Sequence, residues 1–388
     1  MRLVERFERT KKQMKKEFDV LIIGGGLAGL CNAINLSKFG KKVLLIEKNE
    51  YPKHKVCGEY ISNEVLPYLQ FLGINPFDFG AVKIDKFQLS TTKSNLIAAK
   101  LPLGGFGISR YTLDFELSKK ALKNGVTILK DLVTNIDYDK GSFFIQTKEN
   151  EIFTSKIAIG AFGKRSSIDV KMNRDFIQKK SPYLGVKIHV KGNFPEDLVA
   201  LHNFKGGYCG VSKVENDGIN LCYITNFSSF KEFKNIDDFQ ENVVFKNTFL
   251  KEMFQSSTPV FKKPLTISQI SFETKEPIEN HMIMCGDSAG MIHPLCGNGM
   301  SMAIQSAQIA SKLILNYMEG EISSRTELEK RYIREWNHQF KWRLKAGHFI
   351  AMLFRKDRIA NILLQILRRL PFLIPFIIKQ THGKPMKL

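Results

Sequence analysis

The sequence predicts an α/β fold in which a Rossmann-like nucleotide-binding domain is interleaved with a β-rich antiparallel substrate domain and followed by a helical C-terminal segment. Near the start of the chain, a short apolar run leads into a glycine-rich turn and a helix. A similar strand, glycine turn and helix return in the last third, and segments of alternating polarity lie between the two. The nucleotide-binding elements are therefore split along the sequence, which indicates two domains that fold around each other.

The first element is residues 19–23, an apolar run typical of a buried parallel strand. Three glycines with the GxGxxG spacing follow it. In this motif the first glycine permits a tight turn, the second lets a pyrophosphate approach the backbone, and the third lets the helix pack on the strand. The start of that helix offers free N–H groups to the phosphates. The predicted phosphate cradle consists of Gly24, Gly26, Leu27, Ala28 and Gly29.

A second buried strand, residues 42–47, ends at Glu47 and is followed by Lys48. A carboxylate at this strand end can bind the ribose hydroxyls of an adenine dinucleotide. We therefore place both residues at the cofactor site. This βαβ unit alone does not distinguish FAD from NAD.

A second glycine-rich region follows the short apolar strand at residues 282–285. Small residues here let the backbone approach a flat ring, and the N-terminus of the next helix can stabilise negative charge on that ring. This region contains Gly286, Asp287, Pro294, Gly297, Gly299 and Met300.

Over about residues 18–320, these motifs resemble the flavoprotein superfamily that includes aromatic hydroxylases and geranylgeranyl reductases. The resemblance implies FAD as the cofactor, with Gly286 and Asp287 at the ribityl chain. It places beside the isoalloxazine ring Pro294, Gly297, Gly299 and Met300. It further implies that Arg110, near the start of a helix at 112–124 with Thr112 as its N-cap, contacts the cofactor. Val133 is placed on the strand beside the adenine.

Two segments depart from the family pattern. Phe162 stands where the family carries the aspartate of its Ala-Asp-Gly-x-x-Ser motif, which in the hydroxylases serves both FAD and the nicotinamide nucleotide. NAD(P)H is thus a candidate electron donor whose direct use this change puts in question. The reductases' Tyr-x-Trp-x-Phe-Pro element beside the substrate keeps only Tyr208, with Gly210 in place of the tryptophan.

Cys57 lies in Lys55-Val56-Cys57-Gly58, which resembles the Lys-x-Cys-Gly element that the geranylgeranyl reductases carry near the flavin. The neighbouring cations at positions 54 and 55 favour a thiolate. Such a group can govern the protonation of carbon that a double-bond reduction requires. A buried, inert cysteine is the alternative, and Tyr60 and Glu59 are alternative proton donors.

Three functions fit these residues. The first is FAD-dependent reduction of C=C bonds in a lipophilic, isoprenoid-like small molecule. The second is a flavin monooxygenase that hydroxylates an aromatic or polyketide-type substrate. The third is a non-catalytic flavin-binding protein at a membrane surface.

The net charge is +20, and residues 325–388 hold 15 Lys or Arg against 4 Asp or Glu. Together with apolar stretches, this suits peripheral binding to an anionic membrane surface, and the alternative is a helix packed on the body of the protein. No motif for nucleic-acid binding accompanies the charge. The six cysteines form no CxxC pair, so we expect no metal site and a cytoplasmic location, at most peripheral on the inner face of a membrane. The sequence leaves the oligomeric state open.

The predicted domain boundaries follow from these elements. We expect a basic N-terminal extension at 1–17, an FAD-binding domain at 18–80, 102–175 and 276–322, a substrate domain at 81–101 and 176–275, and a basic helical region at 323–388.

Overall fold

The computed structural model describes residues 16–92, 95–179, 182–354 and 357–388. In this part of the chain the strands form two sheets, one of eight and one of nine strands. The strands are β1 (Lys16–Ile23), β2 (Val43–Glu47), β3 (Tyr60–Ser62), β4 (Val82–Ser90), β5 (Leu96–Gly107), β6 (Thr127–Lys130), β7 (Val133–Asp139), β8 (Ser142–Thr147), β9 (Ile152–Gly160), β10 (Tyr183–Lys191), β11 (Leu198–Phe204), β12 (Gly207–Lys213), β13 (Ile219–Asn226), β14 (Thr258–Pro259), β15 (Leu265–Ile270), β16 (Ile278–Glu279) and β17 (Met282–Met284).

The helices cover both sheets and form the C-terminal region. They are α1 (Leu27–Lys38), α2 (Leu66–Phe71), α3 (Arg110–Lys123), α4 (Ser167–Lys171), α5 (Phe227–Phe230), α6 (Ile236–Asn242), α7 (Thr248–Ser256), α8 (Gly299–Met318), α9 (Arg325–Phe354), α10 (Asp357–Arg369) and α11 (Leu373–Thr381).

The first sheet has the order β16-β17-β9-β1-β2-β6, and β8 pairs with β9 while β7 pairs with β8. Its central strand β1 runs parallel to both neighbours, so that Val20 lies opposite Val43 on β2 and Ile157 on β9. The apolar run that the sequence predicts as a buried strand belongs to β1. Its residues are apolar without alternation because both faces of the sheet are covered. The carboxyl ends of β1, β9 and β17 meet at one edge, and the glycine turns follow them there.

The second sheet has the order β14-β10-β13-β12-β11-β4-β5-β3 and is antiparallel except where β11 runs beside β4. Its outer face carries a core built with α6 and α7 around Phe239 and Leu250, both fully buried. Its other face is turned toward the first domain and the C-terminal helices, as the mixed core of Leu89, Leu367 and Ile374 shows. The predicted fold class is confirmed.

Several boundaries differ from the sequence prediction. The boundary at 101 falls inside β5, because this strand continues to Gly107 and pairs there with β3. Gly107 makes this possible, since a Cβ at that position would lie 1.9 Å from the carbonyl oxygen of Lys213. Residues 16 and 17 belong to β1 rather than to the basic extension, and residues 1–15 lie outside the described part of the chain.

The helix predicted with Thr112 as its N-cap begins earlier. Ser109 is the cap of α3, and its Oγ accepts the N–H of Thr112 at 3.1 Å. Glu215 lies in the turn between β12 and β13 of the second sheet. Its side chain accepts the N–H of Ser109 at 2.8 Å and so fixes the cap. The helix therefore starts where it is fixed to the substrate sheet, and Arg110 becomes its first residue.

The predicted helical C-terminal region consists of α9, α10 and α11. The 30-residue helix α9 is fastened to the first sheet by Tyr332, whose hydroxyl donates to the carbonyl of Met284 at 2.6 Å. Among the described helices, none combines the length and the apolar character that crossing a membrane requires.

Buried histidines make the fold sensitive to acid. Burial lowers the pKa of His202, His293 and His382 from the usual 6.5 to about 4 in each case. Between pH 6.5 and 4 the unfolded chain therefore binds more protons than the native protein, and the free energy of unfolding falls as the pH is lowered, by up to ~3 kcal/mol for each histidine.

We expect His202→Gln, which replaces the ring that contacts Ser90 Oγ at 2.8 Å, to show a smaller loss of stability between pH 7 and pH 4.5 than the wild type. Urea unfolding at the two pH values measures this difference. An unchanged pH dependence would contradict the account.

Candidate active site

One cavity of about 1770 Å³ lies between the two sheets and the C-terminal helices. Ordinary small-molecule pockets measure roughly 300–1,000 Å³, so this one has room for a cofactor and a second molecule. Most of the predicted site residues border it: Gly24, Gly26, Leu27, Ala28, Glu47, Lys48, Cys57, Glu59, Tyr60, Arg110, Gly286, Asp287, Pro294, Gly297, Gly299 and Met300.

The glycines at the start of α1 have different roles. A Cβ at Gly29 would lie 1.9 Å from the carbonyl oxygen of Gly24, and one at Gly24 would lie 2.4 Å from the carbonyl oxygen of Ala161. These two glycines therefore permit the packing of strand and helix. A Cβ at Gly26 would come no closer than 3.6 Å to Arg110 Nη2, so this glycine leaves space open to the cavity.

Glu47 fixes the turn after β1 from the end of β2. Its Oε2 accepts the N–H of Gly25 at 2.7 Å, and its Oε1 accepts both the backbone and the side-chain N–H of Asn49. Asn49 uses both lone pairs of Oε1, whereas Oε2 keeps one lone pair for a ribose hydroxyl. Lys48 borders the same end of the cavity.

A second helix begins at the other end of the cradle. The turn after β17 is formed by Gly286, with φ of 61°, and Asp287, and the loop before α8 turns at Gly297, with φ of 64°. No side chain caps the N-terminus of α8, and none caps that of α1. Two helices thus point free N–H groups and positive dipole ends into one glycine-lined space.

These features fit FAD. The first helix terminus is suited to the pyrophosphate, and the second to the ring, on which negative charge develops upon reduction. Asp287 lies between the two termini, where the ribityl chain would run. Its carbonyl oxygen accepts a hydrogen bond at 2.7 Å from Lys275 Nζ, and burial lowers the pKa of that amine to about 8.

Arg110 is held rigidly at the cavity wall. Its Nε and Nη2 donate to the two carboxylate oxygens of Asp114 at 2.7 and 2.8 Å, and Lys55 Nζ donates to the same carboxylate at 2.8 Å. Burial would raise the pKa of Asp114, but Arg110 and Lys55 hold it below its usual range. One carboxylate therefore orients two cations that face the phosphate cradle.

Glu59 is fully buried and adopts a left-handed backbone conformation with φ of 56°. Its Oε1 accepts the N–H of Arg110 at 2.8 Å and a hydrogen bond from Lys187 Nζ, and its Oε2 contacts His189 Nε2 at 2.6 Å. Burial would raise the pKa of Glu59, yet Lys187 and His189 keep it below its usual value. Glu59 is therefore an ionised acceptor, which disfavours the proton-donor role predicted for it.

Cys57 is half-buried at the cavity wall, and its carbonyl oxygen accepts from Asn220 Nδ2 at 3.1 Å. The neighbouring charges are weaker than the sequence indicates. Lys55 is paired with Asp114, and burial lowers the pKa of His54 to about 4, so that its ring is neutral.

Tyr60 lies beside the loop that begins α8, because a Cβ at Gly297 would be 3.3 Å from its ring. Burial raises the pKa of Tyr60 well above its usual value, so the hydroxyl keeps its proton. Both Cys57 and Tyr60 border the cavity, and the Tyr60 hydroxyl donates to the carbonyl oxygen of Gly104 at 3.5 Å.

Two predicted residues do not border the cavity. Gly29 contacts Gly24 instead. Val133 is 3% exposed and belongs to the core of the first domain, because the alternation of β7 turns its side chain inward. Its neighbour Leu132 borders the cavity instead.

The far part of the cavity is apolar. It is bounded by the inner face of the second sheet and by α9, α10 and α11, and Tyr208 and Gly210 lie in its wall. The remaining wall is formed mainly by Phe87, Leu89, Ile97, Leu101, Val199, Leu201, Phe354, Leu363, Leu367, Leu373 and Ile377.

Sequence reasoning did not identify Lys187, His189 or Asp114. The first two alternate with Val186, Ile188 and Val190 on β10, a pattern that indicates a solvent-facing side. That side instead faces the first domain. The glycine at position 185 lies on the same face of β10 and indicates close packing against that face. A Cβ at Gly185 would lie 3.3 Å from the side chain of Val56.

The chain resembles known flavoproteins in parts of its sequence and in its fold. A family model for the FAD binding domain matches residues 19–55, and one for squalene epoxidase matches residues 248–352. The digeranylgeranylglycerophospholipid reductase of Methanococcus vannielii is 25% identical over 351 residues, which cover 87% of this chain and 85% of that protein.

Among solved structures, the flavin-dependent brominase Bmp2 has a TM-score of 0.78 at 19% identity, over 94% of this chain and 93% of the brominase. PqsL of Pseudomonas aeruginosa, described as a probable FAD-dependent monooxygenase, has a TM-score of 0.72 at 14% identity, over 89% of this chain and 98% of its own. The chain is an FAD-dependent oxidoreductase with the fold of these flavoproteins.

In this oxidoreductase, Phe162 borders the cavity where the hydroxylase motif has an aspartate. Its ring would be 3.0 Å from a Cβ on Gly160, so it packs against the end of β9. In the described part of the chain no cluster of His, Cys, Asp or Glu has the arrangement of a metal site.

Proposed function

We propose that this oxidoreductase reduces C=C bonds of a lipophilic, isoprenoid-type lipid. The observation that carries the proposal is the continuity of one cavity, in which an FAD cradle opens directly into a long apolar chamber. Support comes from several relatives named digeranylgeranylglycerophospholipid reductase, at about a quarter identity over most of both chains.

Reduced FAD, when bound, supplies a hydride to one carbon of the double bond. The protein's own groups supply the rest of the reaction. The apolar wall holds the chain and keeps water from the reacting carbons. The S–H of Cys57 gives its proton to the second carbon, so that one hydride and one proton complete the C–C single bond. The thiolate then recovers a proton from water.

The shape of the chamber fits an elongated substrate. Gly210 leaves space where the reductase element has a tryptophan, and Leu201 Cδ2 would be 3.7 Å from a Cβ at that position. Tyr208, 8% exposed, closes the wall beside it. A thin chain of isoprene units can extend from the flavin loop toward the C-terminal helices.

A flavin monooxygenase is the second candidate. The fold of PqsL and the squalene epoxidase match favour it, and a bulky aromatic or polyketide-type substrate could fill the same chamber. The two reactions differ in their need for oxygen. For either reaction NAD(P)H is a candidate electron donor, and with Phe162 at the cavity wall we expect it to reduce the flavin more slowly than dithionite does.

The product of a single turnover tests the proposal. The FAD-loaded protein is reduced with dithionite without oxygen and mixed with digeranylgeranylglyceryl phospholipid in heavy water. We expect the lipid mass to increase by two deuterium atoms for each reduced bond, because the hydrogen that reduced flavin transfers exchanges with the solvent. An unchanged lipid, together with an oxygenated product once air is admitted, would favour the monooxygenase, and no product under any donor would favour flavin binding without catalysis.

Removing the thiol should slow protonation without loss of FAD. We expect Cys57→Ala to lower the rate of double-bond reduction by about 100-fold, the usual contribution of a positioned proton donor. Tyr60→Phe serves as the matched comparison and should lower it much less. Stopped-flow product formation at equal flavin content measures both. The reverse order would assign the proton to Tyr60.

A further inference from the structure

The three C-terminal helices carry a large exposed apolar surface. Its members project from α9, from α10, from the turn after α10 and from α11, with exposed fractions between 41% and 69%. We call this the docking surface, and it consists of Trp342, Phe349, Met352, Ile362, Ile366, Leu370, Phe372 and Phe376.

These helices do not need that face for their own packing. Leu364 and Leu367 on α10 and Ile374 on α11 already fill the core against β4 and β5. The docking surface lies on the other side of the same helices. Soluble monomers rarely leave so many large apolar side chains together in water, and such a patch marks a binding surface.

Positive charge surrounds the docking surface. Lys341, Lys345, Arg368, Arg369 and Lys379 are all exposed on the same three helices or at their ends. From residue 341 to 388 the sequence contains one acidic residue, at position 357. An amphipathic helix with an apolar face and basic flanks is the form that lies in the interface of an anionic bilayer.

The docking surface also surrounds the mouth of the cavity. Four of its members, Trp342, Phe349, Ile366 and Phe376, line the cavity as well as being exposed. The chamber behind them is mainly apolar, and Lys345 is the charged residue of α9 in its lining, so that this surface is continuous with the wall of the chamber.

We infer that the docking surface binds the surface of an anionic phospholipid bilayer, and that the substrate enters the cavity from the bilayer between α9, α10 and α11. The basic flanks favour a lipid surface over a second copy of this chain, since two copies would bring like charges together. The binding itself rests on the surface residues alone, whereas the entry of substrate rests on the proposed reductase function.

Vesicle binding of the full-length, FAD-loaded protein tests the inference. We expect cosedimentation with phosphatidylcholine vesicles that contain phosphatidylglycerol, and weaker binding without it. Ile362→Ser/Phe372→Ser, a double variant at two exposed positions that do not line the cavity, should weaken vesicle partition by at least about tenfold, as expected from the loss of two large apolar side chains from an apolar contact. Phe39→Ser, a change at a comparably exposed phenylalanine at the end of α1, is the control and should bind as the wild type does.

Two results would overturn the inference. One is equal vesicle binding by the double variant and the wild type. The other is a wild-type dimer in sedimentation analysis that becomes monomeric in the double variant and does not bind vesicles, which would assign the surface to a second copy. Arg368→Gln/Arg369→Gln should reduce only the preference for phosphatidylglycerol.

Activity separates this inference from the proposed function. The double variant should reduce a short prenyl substrate in solution as the wild type does, yet lose activity on lipid embedded in vesicles. If the wild type binds vesicles but reduces no prenyl compound, the proposed function fails and the docking surface remains. Equal activity of both proteins on embedded lipid would contradict entry from the bilayer.

Discussion

Replacing Gly26 with valine is expected to remove FAD while leaving the protein folded. A side chain at this position meets no protein atom closer than 3.6 Å, so the apoprotein can accommodate its first carbon. The space it enters is that required by the pyrophosphate at the start of α1. We expect FAD affinity to fall by at least 100-fold, about 3 kcal/mol. Titration of apoprotein with FAD, followed by flavin fluorescence, measures the affinity, and thermal unfolding of the apoprotein measures the fold.

Two other glycines provide the comparison. Gly29→Ala should lower both the thermal stability of the apoprotein and FAD binding, because its Cβ would lie 1.9 Å from a backbone oxygen. Gly40→Asn should affect neither, since nothing lies within 4 Å of that position and asparagine tolerates its positive φ. Full FAD affinity in Gly26→Val would contradict the assignment of the cradle.

Replacing Lys187 with methionine is expected to reduce the free energy of unfolding by about 3–5 kcal/mol, because it leaves the buried Glu59 carboxylate without its main cation. Both side chains are completely buried, so water cannot replace the lost contact. His189 remains beside the other carboxylate oxygen and limits the loss. Urea unfolding with a two-state analysis measures the change.

The double variant Lys187→Met/Glu59→Gln should recover part of this stability, since it removes the charge as well as its partner. Lys86→Met, which breaks an exposed ion pair with Asp197, should show no measurable change. An equally small effect of Lys187→Met would show that Glu59 is neutral in the native protein.

The residues of the cofactor half of the site could be predicted from the sequence because their roles depend on short stretches of backbone. At positions 24 and 29 only glycine fits the packing of the turn after β1. At position 26 glycine leaves space for the ligand, so the spacing of the three glycines indicates a nucleotide-binding turn. The same holds for Gly286 and Gly297, whose positive φ values terminate a strand and turn a loop. These positions are fixed by backbone geometry within a few residues.

The ionic part of the site depends on contacts between distant segments. Glu59 is joined to Lys187 across 128 positions of sequence, and no local pattern indicates that β10 turns its polar face toward the first domain. The same reason explains the early start of α3, whose cap Ser109 is held by Glu215 from the other sheet. Charges that alternate with apolar residues are typical of a solvent-facing side of a strand, but the packing of the two domains buries Lys187 and His189.

The anaerobic reoxidation of the flavin tests the central claim most directly. The protein is reduced without oxygen and mixed in a stopped-flow instrument with an unsaturated prenyl lipid, while the absorbance of oxidised flavin is recorded. A lipid reductase restores this absorbance in the absence of oxygen, at a rate that rises with lipid concentration. A flavin that stays reduced until oxygen is admitted, and then passes through a hydroperoxide that oxygenates the substrate, would contradict the account.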